Sequence, residues 1–376
     1  MERATLHLFT GSGGVGKTTL SASWALALAH RGEKVALITI DPAKRLAQAL
    51  GLRTLSGSLA RTKLHPNLWA MMLDRAATSR RLVETYAQDI QISNKILSNR
   101  YYQAFSTSLA GVQEMMAIHE VYEALYCGQY DAVVLDTPPA QHALDLLEVP
   151  KRLQTALESP ALGWLVGTQA GDPKSKRGLR YSITGLSKTV AVKAFTKMTA
   201  GAFVEDLFEF IRLFGDVLTK IKNHGISLER ALREADSYLW VVSAPDNASL
   251  RASSEVIHYL NAKGFMVRST LINRTPTLLT TLKQNQTLDD VLLQGIDQIS
   301  LALGDQAHLK ALSLSILQEE IDRARDASAL INSYVQSAST TLIQELNLML
   351  TPADMVRELS QIVSKLDEFE ETLRRH

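Results

Sequence analysis

The chain has 376 residues, long enough for roughly two or three domains of ordinary size. Hydrophobic residues make up 46% and charged residues 21%, a globular balance, and a net charge of +1 offers no overall field to recruit nucleic acid or anionic lipid. A single cysteine excludes an intrachain disulfide framework or thiolate metal cluster, and no apolar stretch reaches the ~18 residues of a membrane span, so a cytoplasmic protein without an integral membrane segment is expected.

Met1-Glu2-Arg3 leads straight into a strand pattern, with no signal peptide expected. Leu6 to Thr10 is the first apolar run. Directly after it stands Gly11-Ser12-Gly13-Gly14-Val15-Gly16-Lys17-Thr18, spaced as G-x-x-x-x-G-K-[ST] and continued by Thr19. Thr18 to Arg31 then reads as an Ala/Leu-rich helix stopped by Gly32. This motif requires a strand before it and a helix after it, and both are present. Its glycines let backbone N–H groups converge on an anion, and the helix N-terminus adds partial positive charge. Lys17 can reach the outer phosphates of a nucleotide, and the Thr18 hydroxyl can bind Mg²⁺.

Lys34 to Ile40 is nearly all apolar, as a parallel strand buried on both faces should be, and Asp41-Pro42-Ala43 ends it. Three further strands are predicted: Asp131 to Leu135, ending at Asp136; Ser237 to Val242, ending at Ser243; and Val267 to Ile272, ending at Asn273. Helical tracts separate them, roughly 75–127, 151–235 and 277–335. The expected fold is α/β, a doubly wound, mostly parallel sheet with an inserted α-helical subdomain. We place the sheet core at about 1–74, 128–150, 236–276 and 336–376, in one domain spanning 1–376. A single phosphate loop and no internal repeat argue against tandem halves within this chain.

Polar residues at the carboxyl ends of these strands mark where open α/β sheets bind ligands. Asp136, before Thr137-Pro138-Pro139, has the position of a carboxylate that orients Mg²⁺ ligands, or else caps a turn. Asp41 could position an attacking water, or else cap the helix beginning near Ala43. Asn273 could read an adenine edge, or else be a turn residue. His142 reads as structural, Cys127 as a small buried hydrophobe, and Lys174-Ser175-Lys176-Arg177 as part of a solvated loop.

With these residues in place, the chain resembles the arsenite-pump and tail-anchored-protein-targeting ATPases. These are a deviant branch of phosphate-loop NTPases related to Min-type and Par-type partition ATPases. The matching segments are Gly11 to Thr19, Thr39 to Leu46, Ser108 to Met116, Asp136 to Leu144 and Leu271 to Thr275. The nearest branch is the bacterial anion-transporting type, including actinobacterial members thought to work as unlike pairs. The resemblance implies ATP as substrate, ADP as product and Mg²⁺ as cofactor. It implies Lys17 and Asp41 as catalytic residues, with Asp41 the first switch carboxylate. It also implies Thr18, Asp41 and Asp136 around the metal, Asp136 to His142 as second switch, Asn273 at adenine, and a dimer whose helical parts form a client groove.

Two departures matter. Ser12 occupies the position of the family's signature lysine, which reaches the partner's phosphates across the dimer; a serine cannot supply that charge. The chain is therefore expected either to pair with a related, lysine-bearing subunit or to work as a slow homodimer. The family's paired cysteines are also missing, which argues against metalloid transport and a zinc-clamped dimer.

Three functions compete: an ATP-driven switch that captures a hydrophobic client, a Min- or Par-type positioning ATPase, and a weakly catalytic nucleotide-bound partner subunit. The apolar surface from Phe203 to Leu218, with Leu153, Leu157, Trp164 and Leu165, motivates the client reading unless it packs the bundle. The amphipathic segment Met355 to Leu373 motivates the second, although its polar face mixes acids with bases.

Overall fold

The computed structural model describes residues 3–40, 46–47, 50, 55, 57–108, 111–158, 201–276, 287–303, 307–334 and 340–344. Asp41, the basic segment 174–177, Trp164, Leu165 and the segment 355–373 lie outside the described residues. The strands are β1 (Thr5–Gly11), β2 (Val35–Thr39), β3 (Ala60–Arg61), β4 (Leu68–Met72), β5 (Ala132–Asp136), β6 (Ser237–Ser243), β7 (Val267–Thr275) and β8 (Thr340–Gln344). The first five described helices are α1 (Lys17–His30), α2 (Arg75–Tyr86), α3 (Ile90–Ser98), α4 (Arg100–Ser108) and α5 (Val112–Tyr126). Then come α6 (Ala140–Leu157), α7 (Gly201–Ala231), α8 (Asn247–Ala262), α9 (Leu288–Leu303) and α10 (Ala307–Tyr334).

The chain divides into two units. The first comprises Met1–Met72, Ala124–Ala143 and Ala231–His376, the second Leu73–Glu123 and Leu144–Arg230.

The first unit is built on one eight-stranded sheet of order β3-β4-β2-β5-β1-β6-β7-β8. Every pairing is parallel except β3 with β4. The central strands are the most apolar, and β2 (VALIT) and β5 (AVVLD) are buried at every residue, as a sheet covered on both faces requires. Helix α1 is buried continuously from Leu20 to Ala29, which explains its alanine- and leucine-rich composition. Trp24 from α1 packs against Trp240 from β6, with 5.3 Å between ring centroids. Asp246 starts α8 by accepting a hydrogen bond from the Ser249 N–H.

Helices α9 and α10 belong to this unit, whereas the sequence grouped 277–335 with the helical part. A cluster of Leu250, Ile272 and Ile331 fixes α10 against α8 and β7. Arg325 pairs with Asp289 to join α10 to α9.

The second unit is helical, from α2 through most of α5, then most of α6 and α7. Asp74 and Asp89 cap α2 and α3 through the N–H groups of Ala77 and Ile92. Leu82, Val83, Ile118, Leu146, Phe214 and Val217 contribute to its buried apolar interior. Phe210 stacks on Phe214 and Tyr101, and the described apolar residues of α7 from Phe210 to Leu218 are buried or half-buried, whereas Ile226 farther along the helix is exposed. His119 and His224 are buried here. Loss of solvation lowers the pKa of both, and neighbouring His119 helps bring His224 to about 4.

Candidate functional site

The site forms where β1 gives way to α1. Gly16 stands at the helix N-cap with φ 91°, a left-handed conformation that favours glycine. A Cβ there would also collide with the Asn273 side-chain amide. Likewise, a Cβ at Gly11 would strike the Val242 carbonyl of β6. Among the described residues no side chain caps the start of α1, which leaves its first N–H groups turned toward the loop. The Lys17 ammonium lies over the same loop, donating to the carbonyls of Gly11 at 3.0 Å and Ser12 at 2.7 Å. Val15 is buried, Thr19 half-buried, and Gly13 and Gly14 exposed.

Parallel register brings the second group into place. Thr39 and Phe9 both align with Asp136, the last residue of β5. The Asp136 side chain is fully buried, and its Oδ2 accepts hydrogen bonds from Thr18 Oγ1 at 2.8 Å and Thr39 Oγ1 at 2.9 Å. The next residue, Thr137, donates its hydroxyl to the Phe9 carbonyl at 2.7 Å, which ties the end of β5 to β1. Ile40 donates its N–H to the Asp136 carbonyl at 3.1 Å, just before the chain reaches Asp41. Thr39 was not anticipated as a site residue. Its signal was a hydroxyl ending an otherwise apolar strand.

Asn273 completes the arrangement from β7. Its side chain is buried and Nδ2 donates to the Val15 carbonyl at 2.8 Å, bracing the loop from beneath. Its Oδ1 is buried without a hydrogen-bond partner among the described residues. Arg274, immediately after it, has φ 58°, a strained conformation for a residue with a side chain. Lys17, Thr18, Asp136 and Asn273 thus converge on one loop.

The donors fit Mg²⁺. A hydroxyl and a carboxylate oxygen 2.8 Å apart are hard ligands at nearly the separation of adjacent oxygens around octahedral Mg²⁺, about 2.9 Å for bonds near 2.05 Å. Thr18 Oγ1 and Asp136 Oδ2 are the atoms that would hold it.

Residues 4–164 match the family described as anion-transporting ATPase. The arsenical pump-driving ATPase of Escherichia coli is 24% identical over 287 residues, 71% of this chain and 49% of that protein. The putative arsenical pump-driving ATPase of Chlorobaculum tepidum is 26% identical over 269 residues, 71% of this chain and 60% of that protein. The ATPase get3 of Schizosaccharomyces japonicus is 30% identical over 248 residues, 60% of this chain and 74% of that protein. The chain belongs to the anion-transporting ATPase family. Its matches to the two pump-driving relatives span about half of each, 49% and 60% of their lengths.

This family member departs from the sequence reading at Cys127, which is exposed just after α5 rather than buried. The chain turns at Gly128 there, with φ 70°, before β5 begins. Ser12 is half-buried on the loop, its hydroxyl without a hydrogen-bond partner among the described residues. The helix α6 contains His142, whose side chain lies outside the described residues. Among the described residues, no helix is long and apolar enough to cross a membrane.

Proposed function

We propose that this chain hydrolyses ATP to ADP and phosphate with Mg²⁺ and uses the cycle as a dimeric, cytoplasmic switch. The observation that carries the proposal is the convergence of Thr18 on Asp136 beside a Lys17 already held over the loop. In this reading the loop N–H groups and α1 hold the phosphates, and Lys17 moves from two carbonyls to the outer phosphates. Bound Mg²⁺ neutralises charge on the outer phosphates. Thr39 keeps the Asp136 carboxylate oriented, and Asp41 positions the attacking water. Asn273 braces the loop and offers its Oδ1 to the adenine amino group.

We assign the missing trans charge to a related subunit that carries a lysine at the position of Ser12; the self-sufficient homodimer is the alternative. The client would be a hydrophobic segment of another protein. The described part of α7 supports internal packing instead, while Leu293, Leu301, Leu312 and Ile316 on α9 and α10 are exposed and support an apolar contact there.

Steady-state phosphate release tests the catalytic reading. Asp136→Asn should lower turnover by at least about 10²-fold, the usual loss for one oriented electrostatic group. Unchanged turnover would refute the site. Ser12→Lys tests the partner reading. Turnover of the isolated chain should rise toward the roughly 10³-fold lower end for a trans cationic finger, and no rise would refute the missing-charge explanation.

A further inference from the structure

The helical unit holds a second constellation, remote in sequence from the phosphate loop. His119 and Glu123 lie four residues apart on one face of α5, and His224 comes from α7. One ligand atom from each lies within 4.8 Å of the other two. The two imidazoles face each other, with Nδ1 to Nδ1 at 3.5 Å. Two nitrogens on a tetrahedral zinc ion lie about 3.3 Å apart, given bonds near 2.05 Å. The observed pair needs only a small adjustment to meet that spacing.

The surroundings resemble those of a built metal site. His119 and His224 are buried, while Glu123 is exposed and leaves an approach for an ion. Tyr86 donates its hydroxyl to Glu123 Oε1 at 2.8 Å, a second-layer bond of the kind that orients metal-binding carboxylates. Tyr86 also meets both imidazoles edge-on, and Tyr122 stacks on His224 with 3.8 Å between centroids. Two cations stand nearby: Arg81, which pairs with Glu120, and Lys220, whose ammonium lies 6.0 Å from the Tyr86 ring centre.

We propose that His119, Glu123 and His224 bind a borderline divalent transition metal, zinc foremost, and that this ion ties α5 to α7. Two imidazoles and one carboxylate leave a fourth position for water or another donor. The donor set selects against Mg²⁺, which prefers oxygen, and so separates this site from the one at Thr18 and Asp136. Neither the phosphate loop nor the family's paired cysteines are involved.

The test uses the full chain, stripped with a chelator and without nucleotide. Zinc is titrated calorimetrically in excess Mg²⁺, and cobalt(II) is used in a parallel visible-absorption titration. One zinc ion per chain should bind and raise the unfolding temperature. Cobalt(II) should give the intense visible bands of a site with few ligands. Glu123→Gln should weaken zinc binding at least about 10²-fold and Tyr86→Phe about 10-fold, with native circular dichroism in both. Zinc affinity unchanged in Glu123→Gln would overturn the proposal. So would a natively folded wild-type chain that takes up no zinc in excess Mg²⁺, which would leave the imidazoles as a hydrogen-bonded pair.

Discussion

His7, in the middle of β1, is a buried imidazole with every neighbour accounted for by packing. Its ring stacks on Tyr238 at 4.6 Å, its Nδ1 accepts from Trp24 Nε1 at 2.9 Å, and Thr5 Oγ1 lies 3.5 Å from Nε2. Burial and then the Arg31 charge lower its pKa from 6.5 to about 3. The unfolded chain takes up a proton near pH 6.5 that the folded chain refuses until about pH 3. The stability this confers is therefore complete above pH 6.5 and is lost as pH falls through that window. An NMR titration should show no protonation of His7 between pH 7 and 5; a midpoint near 6.5 would contradict this. Asn273 illustrates what sequence alone left open. Its place at the end of a strand was legible, but its bond to the Val15 carbonyl, 258 residues away in sequence, depends on β7 lying beside β6. Asn273→Ala leaves that buried carbonyl unpaired and should cost about 1–3 kcal/mol in denaturant unfolding. A loss below about 0.5 kcal/mol would show the brace to be dispensable.

At the scale of elements, buried parallel strands were the most legible. β2 and β5 are continuous β-branched and aliphatic runs ending in polar residues, and the sequence placed both within a residue or two. β4 was not anticipated because Leu68-Trp69-Ala70-Met71-Met72 has no β-branched residue and suits a helix as well. β8 carries Thr and Ile, but its five residues are too few for periodicity alone to separate it from a helical segment. The packing of α6 on α7 was also illegible, because it depends on two breakers meeting. Pro150 inside α6 lies against Gly225 of α7, and a Cβ at Gly225 would press on the proline ring. Gly225→Ala should therefore destabilise the helical unit by about 1–3 kcal/mol, despite the better helix propensity of alanine. Thermal unfolding of the variant checks this, and an unchanged or higher midpoint would show that the helices can separate without cost.

For the whole molecule, the sequence identified a sheet part and a helical part but drew the division differently. The 277–335 stretch is helical where described, yet Ile331 anchors it to Leu250 and Ile272 of the sheet unit, a contact without a local signature. The loop between β1 and α1 was legible because its signal resides in consecutive residues. The gathering of Thr39, Asp136 and Asn273 around it was only partly legible, since strand order sets it. The proposed role of Ser12 in a cycle shared by two subunits is tested at this scale. The most direct measurement is ATP turnover of the purified chain over a range of protein concentrations, with its mass in solution determined with and without ATP and Mg²⁺. The expected result is tight nucleotide binding, very low turnover at every concentration, and a large gain when a lysine-bearing partner subunit is added. Turnover per chain that rises steeply with concentration as a homodimer forms would contradict the need for that partner, and absence of nucleotide binding would contradict the site itself.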